Sequence, residues 1–258
     1  MHAVILAGGL GTRLSEETAV RPKPMVEIGD RPILWHIMKH LGTYGIEDFV
    51  ICLGYKGDVI KDWFHSYFLR TSDVTLDLRE RSMTVHNSTT EPWRVTLLDT
   101  GAETMTGGRL KRAMAHLGED TGPVLMTYGD GVADVDVAAL REFHEQQGTL
   151  ATVTAVQPPG RWGAIDVVGE RVTHFREKPR GDGAWTNGGY FILEPEVAGY
   201  IEDDSTTFEA EPLRALAHEG QLASYKHDGH WQVMDTLKDK LELQAAWESG
   251  SRPWVTWE

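Results

Sequence analysis

Four charged side chains in this sequence are spaced as phosphate chemistry would require. Arg13 and Lys23 flank a glycine-rich segment, LAGGLGTRLSEETAVRPKPM, that follows the first apolar run, while Asp130 and Asp235 stand far downstream in TYGDG and HWQVMDT. Gly8, Gly9 and Gly11 remove side chains, so main-chain N–H groups can approach an anion closely. Pro22 and Pro24 restrict the backbone on either side of the lysine. Amides framed by two cations suit a polyphosphate. The segment is not a P-loop, because no Lys-Ser or Lys-Thr follows the glycines at the required distance. It also departs from the dinucleotide fingerprint, since Leu14 stands where a third glycine should pack. Taken alone, it reads equally as a tight strand-to-helix turn with solvent-facing cations.

The two aspartates extend the same chemistry. Magnesium in phosphoryl-transfer sites is held by one or two carboxylates plus substrate phosphates. Asp130 directly follows an apolar strand, with Gly129 and Gly131 leaving room around its carboxylate, and Asp235 precedes the last helix. Either could serve conformation instead: Asp235 as a helix cap, Asp130 as a turn residue. Asp134 and Asp136 are expected to face solvent or cap the next helix. His36, His40 and His144 fall on helical segments without a metal constellation and receive no catalytic role.

The elements that must position these groups follow from periodicity. HAVILA reads as a strand, PILWHIMKHL as a helix, DFVICLG as a strand and KGDVIKDWFHSYF as a helix. This βαβα opening predicts an α/β fold: a Rossmann-like, mostly parallel sheet flanked by helices, with its ligand crevice at the carboxyl ends of the strands. Residues 73–99 hold three short alternating segments (SDVTLDL, MTVH, WRVTLLD) and are expected to form an inserted antiparallel arm. GGRLKRAMAHL, GPVLMTYGD, VAALREFHEQQ and LATVTAV resume the helix and strand pattern, and the core sheet is expected to end there. Residues 163–193 read as a second β-rich part, followed by a helix near 208–218, strand LASYKH and a final helix through TLKDKLELQAAW. One domain over 1–258 is the expectation.

Composition narrows the partners. The 258 residues carry a net charge of −14, which excludes a sequence-independent nucleic-acid binder. No apolar run is long enough to span a membrane, and the first residues lack the basic leader of a secretory signal. The single cysteine, Cys52, lies in a strand-like apolar run, so a disulfide is unavailable and a cytoplasmic location is expected.

These motifs together resemble the sugar-nucleotide pyrophosphorylases, and LAGGLGTRLSEET with PKPMVEIG is similar to their glucose-1-phosphate cytidylyltransferase branch. MTGGRLKR, TYGDGVAD, EKPRGDG and the closing PWVTWE extend the likeness over essentially the whole chain. The resemblance implies that Leu6, Ala7, Gly8, Gly9, Gly11, Thr12, Arg13 and Lys23 wrap a nucleotide, with Gly129 and with Thr104, Gly108 and Arg109 of TMTGGRLKRA. Read without it, that last string is only a capped helix. PPGRWGAI, FREKPRGDG and TNGGYF resemble the sugar-side motifs, which implies that Gly163, Glu177, Lys178 and Asn187, with Tyr128, hold a sugar phosphate; Trp162, Trp185 and Tyr190 are candidate pocket aromatics. Asp130 and Asp235 would hold one Mg2+.

The implied reaction joins CTP and glucose 1-phosphate. A sugar-phosphate oxygen, already anionic, attacks the α-phosphorus in line and pyrophosphate leaves. Candidate catalytic residues are Arg13, Lys23, Asp130 and Asp235. Other triphosphates or sugar phosphates, an NAD-linked sugar dehydrogenase and a nucleotide-sugar sensor are the rivals. GHWQVMDT stands where the family has GFWQPMDT and RWGAI where RFGAL is usual; His230 thereby offers an extra polar contact to the sugar. A homo-oligomer is expected, with 73–99 as an exchange arm.

Overall fold

The apolar runs become strands covered on both faces. In the computed structural model, which describes residues 1–160 and 163–257 and leaves out the side chains of 15, 16, 119, 182 and 183, Ala3–Leu6 and Asp48–Leu53 are almost wholly buried. Side chains alternate across a strand, so each face feeds its own core. Ala3 and Ile5 pack with the helix Ile33–Gly42, the helix Leu237–Ser249 and Trp254; Val4 and Leu6 pack with the helices Thr106–Leu117 and Glu211–His218.

The central sheet has seven strands. From one edge they run Leu222–His227, Ala151–Val156, Thr186–Leu193, Val124–Tyr128, Ala3–Leu6, Asp48–Leu53 and Arg94–Asp99. Thr186–Leu193 alone runs antiparallel to its neighbours; the other pairings are parallel. Leu6 lies level with Cys52 on one side and Tyr128 on the other. The chain moves from Ala3–Leu6 to one side first and later returns to the other, so a crevice opens beyond these carboxyl ends.

Two expectations are corrected. Arg94–Asp99 is not part of an arm: it pairs in parallel with Asp48–Leu53, Ile51 opposite Leu97, because Val95 and Leu97 pack against one core and Leu98 against the other. The inserted hairpin is only Ser72–Asp77 with Ser82–Ser88. Nor does the sheet end at Val156. Gly188–Leu193 is buried, and an apolar run covered on both faces belongs inside a sheet. Only Ala164–Val168 and Arg171–Arg176 form a separate hairpin from that stretch, with Ile165, Val172 and Phe175 exposed. No helix among the described residues is long and apolar enough to cross a membrane. Cys52 is fully buried, which pushes its thiol up to about 12.

Candidate active site

The glycine-rich loop leaves the sheet at Leu6 and forms one wall of a cleft of ≈ 440 Å³. Leu6 to Arg13 line it together with Lys23, Pro24, Ala102–Thr106, Arg109, Tyr128, Gly129 and Asp130. Every residue expected to meet a nucleotide lines this cleft except Gly108.

Beside it lies a tight ion cluster. Lys23 Nζ donates to Asp130 Oδ2 at 2.9 Å and to Asp235 Oδ1 at 2.5 Å, and Arg13 reaches the other Asp235 oxygen at 2.7 Å. A short ladder brings the aspartates together: Gly131–Ala133 pairs antiparallel with Trp231–Val233, Val233 opposite Gly131, and Met234 N–H donates to Asp130 O. Asp130 and Asp235 therefore leave the same end of one ladder. The capping role weighed for Asp235 belongs to Thr236, which makes a capping box with Asp239. Gly129 has no room for a side chain, since a Cβ would lie 2.9 Å from the Pro24 ring.

Lys23 is buried, and burial on its own would lower its pKa. Attraction to Asp130 and hydrogen bonds to both carboxylates outweigh that, so the net shift is upward and Lys23 stays an ammonium. Two carboxylates converging on one cation form a hard-oxygen donor pair, and this fits magnesium completed by substrate phosphates. No group of three or more His, Cys, Asp or Glu among the described residues is placed to hold a metal, so substrate phosphates and water would supply the remaining oxygens.

Arg109 lines the cleft, and its guanidinium donates to Leu53 O, Thr100 Oγ1, Gly8 O and Ala102 O, which uses four of its five N–H groups. It thereby braces the glycine loop. Gly8 is glycine for this contact, because a Cβ there would stand 2.1 Å from Arg109 Nη1. Gly108 lies outside the cleft lining; a Cβ there would meet Asp204 Cα at 2.6 Å, so it lets the helix Thr106–Leu117 approach the loop at 204 closely. Thr104 is buried in the cleft wall.

The sugar-side candidates divide. Tyr128 lines the cleft, and the side-chain carbonyl oxygen of Asn187 accepts from Gly189 N at 2.8 Å. Gly163, Glu177 and Lys178 lie outside the cleft lining: Gly163 abuts Phe175, and Glu177 and Lys178 are exposed side chains 3.9 Å apart. Trp185 carries Lys226 over its ring and Tyr190 is buried in the core. Trp162 lies outside the described residues. His230 turns inward, its Nε2 buried without a partner among the described residues and its ring 5.7 Å from that of Trp254, which corrects the expected sugar contact. Asp136 caps its helix through Ala139 N, but Asp134 accepts from His230 N at 2.7 Å and stands 3.1 Å from His227 rather than facing solvent freely. His36, His40 and His144 are buried structural side chains.

Thr106 and Glu209 were not singled out from sequence. Glu209 accepts from Thr106 Oγ1 at 2.6 Å and from the Tyr128 hydroxyl. In FEAEPL it looks like an ordinary acid ahead of a helix, and no local pattern marks it.

Comparison with known proteins agrees with this geometry. Residues 2–249 match the family model described as Nucleotidyl transferase. The chain is 58% identical over its full length, and that of the relative, to a glucose-1-phosphate cytidylyltransferase of Salmonella typhi, and 42% identical, also end to end, to a probable glucose-1-phosphate cytidylyltransferase of Bacillus subtilis. Among solved structures, HddC from Yersinia pseudotuberculosis complexed with GMP-PN superposes with a TM-score of 0.69 at 22% identity, covering 95% of this chain and 99% of that one, a likeness of fold. The level strand ends, the glycine loop braced by Arg109 and the full-length identities lead to one assignment: the chain belongs to the nucleotidyl transferase family, within its glucose-1-phosphate cytidylyltransferase branch.

Proposed function

We propose that this enzyme transfers a cytidylyl group from CTP to α-D-glucose 1-phosphate, giving CDP-glucose and pyrophosphate. The observation that carries the reading is the meeting of Asp130, Asp235, Lys23 and Arg13 beside a cleft lined by the glycine-rich loop. Its relatives from Salmonella typhi and Bacillus subtilis, named for this activity, support the choice of substrates. Family membership removes the reading as an NAD-linked dehydrogenase.

Positioning and charge neutralisation carry the chemistry, because the attacking phosphate oxygen is already anionic and needs no general base. The amides of Gly8 to Thr12 face the triphosphate, Lys23 neutralises the transferring phosphoryl group and Arg13 the departing pyrophosphate. Asp130 and Asp235 would hold magnesium, which when bound would supply Lewis-acid neutralisation of phosphate charge. Tyr128 and Asn187 meet the sugar. The oxygen–phosphorus bond to the sugar phosphate forms as the bond to the β-phosphate oxygen breaks. The exposed hairpin 72–88, with Leu76, Met83 and Val85 uncovered, suits the exchange arm of a homo-oligomer. A reducing, cytoplasmic setting accords with the single buried thiol of Cys52.

The test is a matrix of the four common nucleoside triphosphates against several sugar 1-phosphates, scored by pyrophosphate release with and without magnesium. Highest kcat/KM for CTP with glucose 1-phosphate is expected. Equal rates for all triphosphates, or turnover unaffected by chelation, would refute the respective parts.

A further inference from the structure

Glu209 joins two parts of the cleft lining that come from distant stretches of chain. One of its carboxylate oxygens accepts from Thr106 Oγ1, at the first residue of the helix Thr106–Leu117, and the other accepts from the hydroxyl of Tyr128, at the carboxyl end of Val124–Tyr128. Both partners line the cleft. The residue preceding that helix, Met105, provides no side-chain cap. The loop before Glu209 takes its place: Met105 N–H donates to Asp204 O, Gly107 N–H to Thr206 O, and Phe208 N–H to Thr106 Oγ1 at 2.9 Å. A carboxylate beside the positive end of a helix is favoured there. Glu209 is exposed, so its place is set by these two hydrogen bonds rather than by packing.

The phenol of Tyr128 is held from two sides. Gly189 lies against its ring, where a Cβ would come within 2.8 Å of Cδ2. The single hydroxyl proton of Tyr128 goes to Glu209. A phenol has one proton to give and two lone pairs to receive with. With the proton committed to Glu209, what remains for a ligand is the acceptor side of the phenol oxygen.

We infer that Glu209 is a positioning residue that fixes the hydrogen-bond polarity of Tyr128, so that the phenol oxygen accepts from a hydroxyl of the bound sugar and cannot donate to it. This rests on the proposed function, in which Tyr128 meets the sugar phosphate. Recognition by an acceptor selects a sugar hydroxyl and rejects an analogue lacking it, since the loss leaves the phenol lone pair unpaired.

The experiment measures KM for glucose 1-phosphate and for CTP in the wild-type enzyme, Glu209→Ala, Glu209→Gln, Tyr128→Phe and the Glu209→Ala/Tyr128→Phe double variant. Wild-type turnover of this substrate pair comes first, and its absence would overturn the functional reading and the inference together. Given turnover, Glu209→Ala is expected to raise KM for the sugar phosphate by ~10-fold, the scale of one hydrogen bond, with KM for CTP little changed. Glu209→Gln should restore most of that, because its amide oxygen still accepts from the phenol. In the Tyr128→Phe background the further effect of Glu209→Ala should fall below about twofold, as coupled residues require. Equal losses in both backgrounds, or a matching rise in KM for CTP, would show that Glu209 acts on the loop alone and would overturn the inference while leaving the proposed function standing.

Discussion

Lys23 and Asp235 are separated by 212 positions in the chain, yet the ammonium of the first meets a carboxylate oxygen of the second at 2.5 Å. The same nitrogen serves Asp130 at 2.9 Å. Lys23 is thus the internal counter-ion of both carboxylates. Lys23→Met should cut turnover by ~10²-fold or more, the scale of losing one preorganised charge at the reacting group. Measured kcat close to wild type would remove Lys23 from the chemistry.

The upward pKa shift of Lys23 sets a pH window. A group whose folded pKa is raised contributes stability fully present below its unfolded value and lost as pH rises through the folded one. The ordinary value is 10.5, so the difference in Tm between wild type and Lys23→Met should be constant through neutral pH and shrink only above that value. A difference that vanished between about pH 7 and pH 9 would contradict the ammonium assignment.

Asp130→Asn and Asp235→Asn keep shape and remove charge. Each should lower kcat by ~10²-fold or more with far-ultraviolet circular dichroism unchanged, and each should weaken the magnesium dependence of the rate. Near-normal activity in both variants would end the metal assignment.

Gly8 and Gly9 are adjacent in sequence but answer to different neighbours. Gly8→Ala drives a methyl onto an Arg109 guanidinium pinned by four hydrogen bonds, and overpacking of this kind costs about 1–3 kcal/mol. A Cβ at Gly9 would meet nothing within 4 Å, so Gly9→Ala should shift stability by less than ~0.5 kcal/mol. Urea unfolding of the two variants checks the contrast; equal losses would deny the Arg109 brace.

His36 and His40 are buried on one helix, and burial lowers both to about 4 from 6.5. They are neutral when folded and take up protons when unfolded, so their contribution is complete above 6.5 and lost as pH falls toward 4. Each is worth on the order of 3 kcal/mol across that interval. Urea unfolding at about pH 7 and about pH 5 should show the loss, and His36→Gln or His40→Gln should flatten it; an unchanged slope in both would disprove the origin.

Much of the fold was legible locally, and the exceptions share a cause. Alternating WRVTLLD reads as an exposed hairpin strand, yet Val95, Leu97 and Leu98 become the edge of the parallel sheet because apolar surface is available on both sides of it. TNGGYFIL follows the core strands in sequence but enters between two of them, since a run buried on both faces cannot stay at a periphery. In the site, the string around Arg109 reads locally as a capped helix, and only the family resemblance marks Arg109 as a ligand contact. The carbonyls that occupy it belong to residues 8, 53 and 102, and no window of sequence displays that set.

The sequence by itself determined which chemical groups are present and where the chain can turn: a loop of glycines bounded by Arg13 and Lys23, two aspartates with small or turning neighbours, and apolar runs of strand and helix length. Those properties belong to contiguous residues, whose conformational preferences and periodicity act over a few positions. Tertiary structure alone decided that Asp130 and Asp235 share the ammonium of Lys23, that Arg109 braces Gly8, and that Glu209 receives the proton of Tyr128. Such contacts join residues far apart in the chain, and they are settled by how packed strands register and how buried polar groups find partners, which no local pattern encodes.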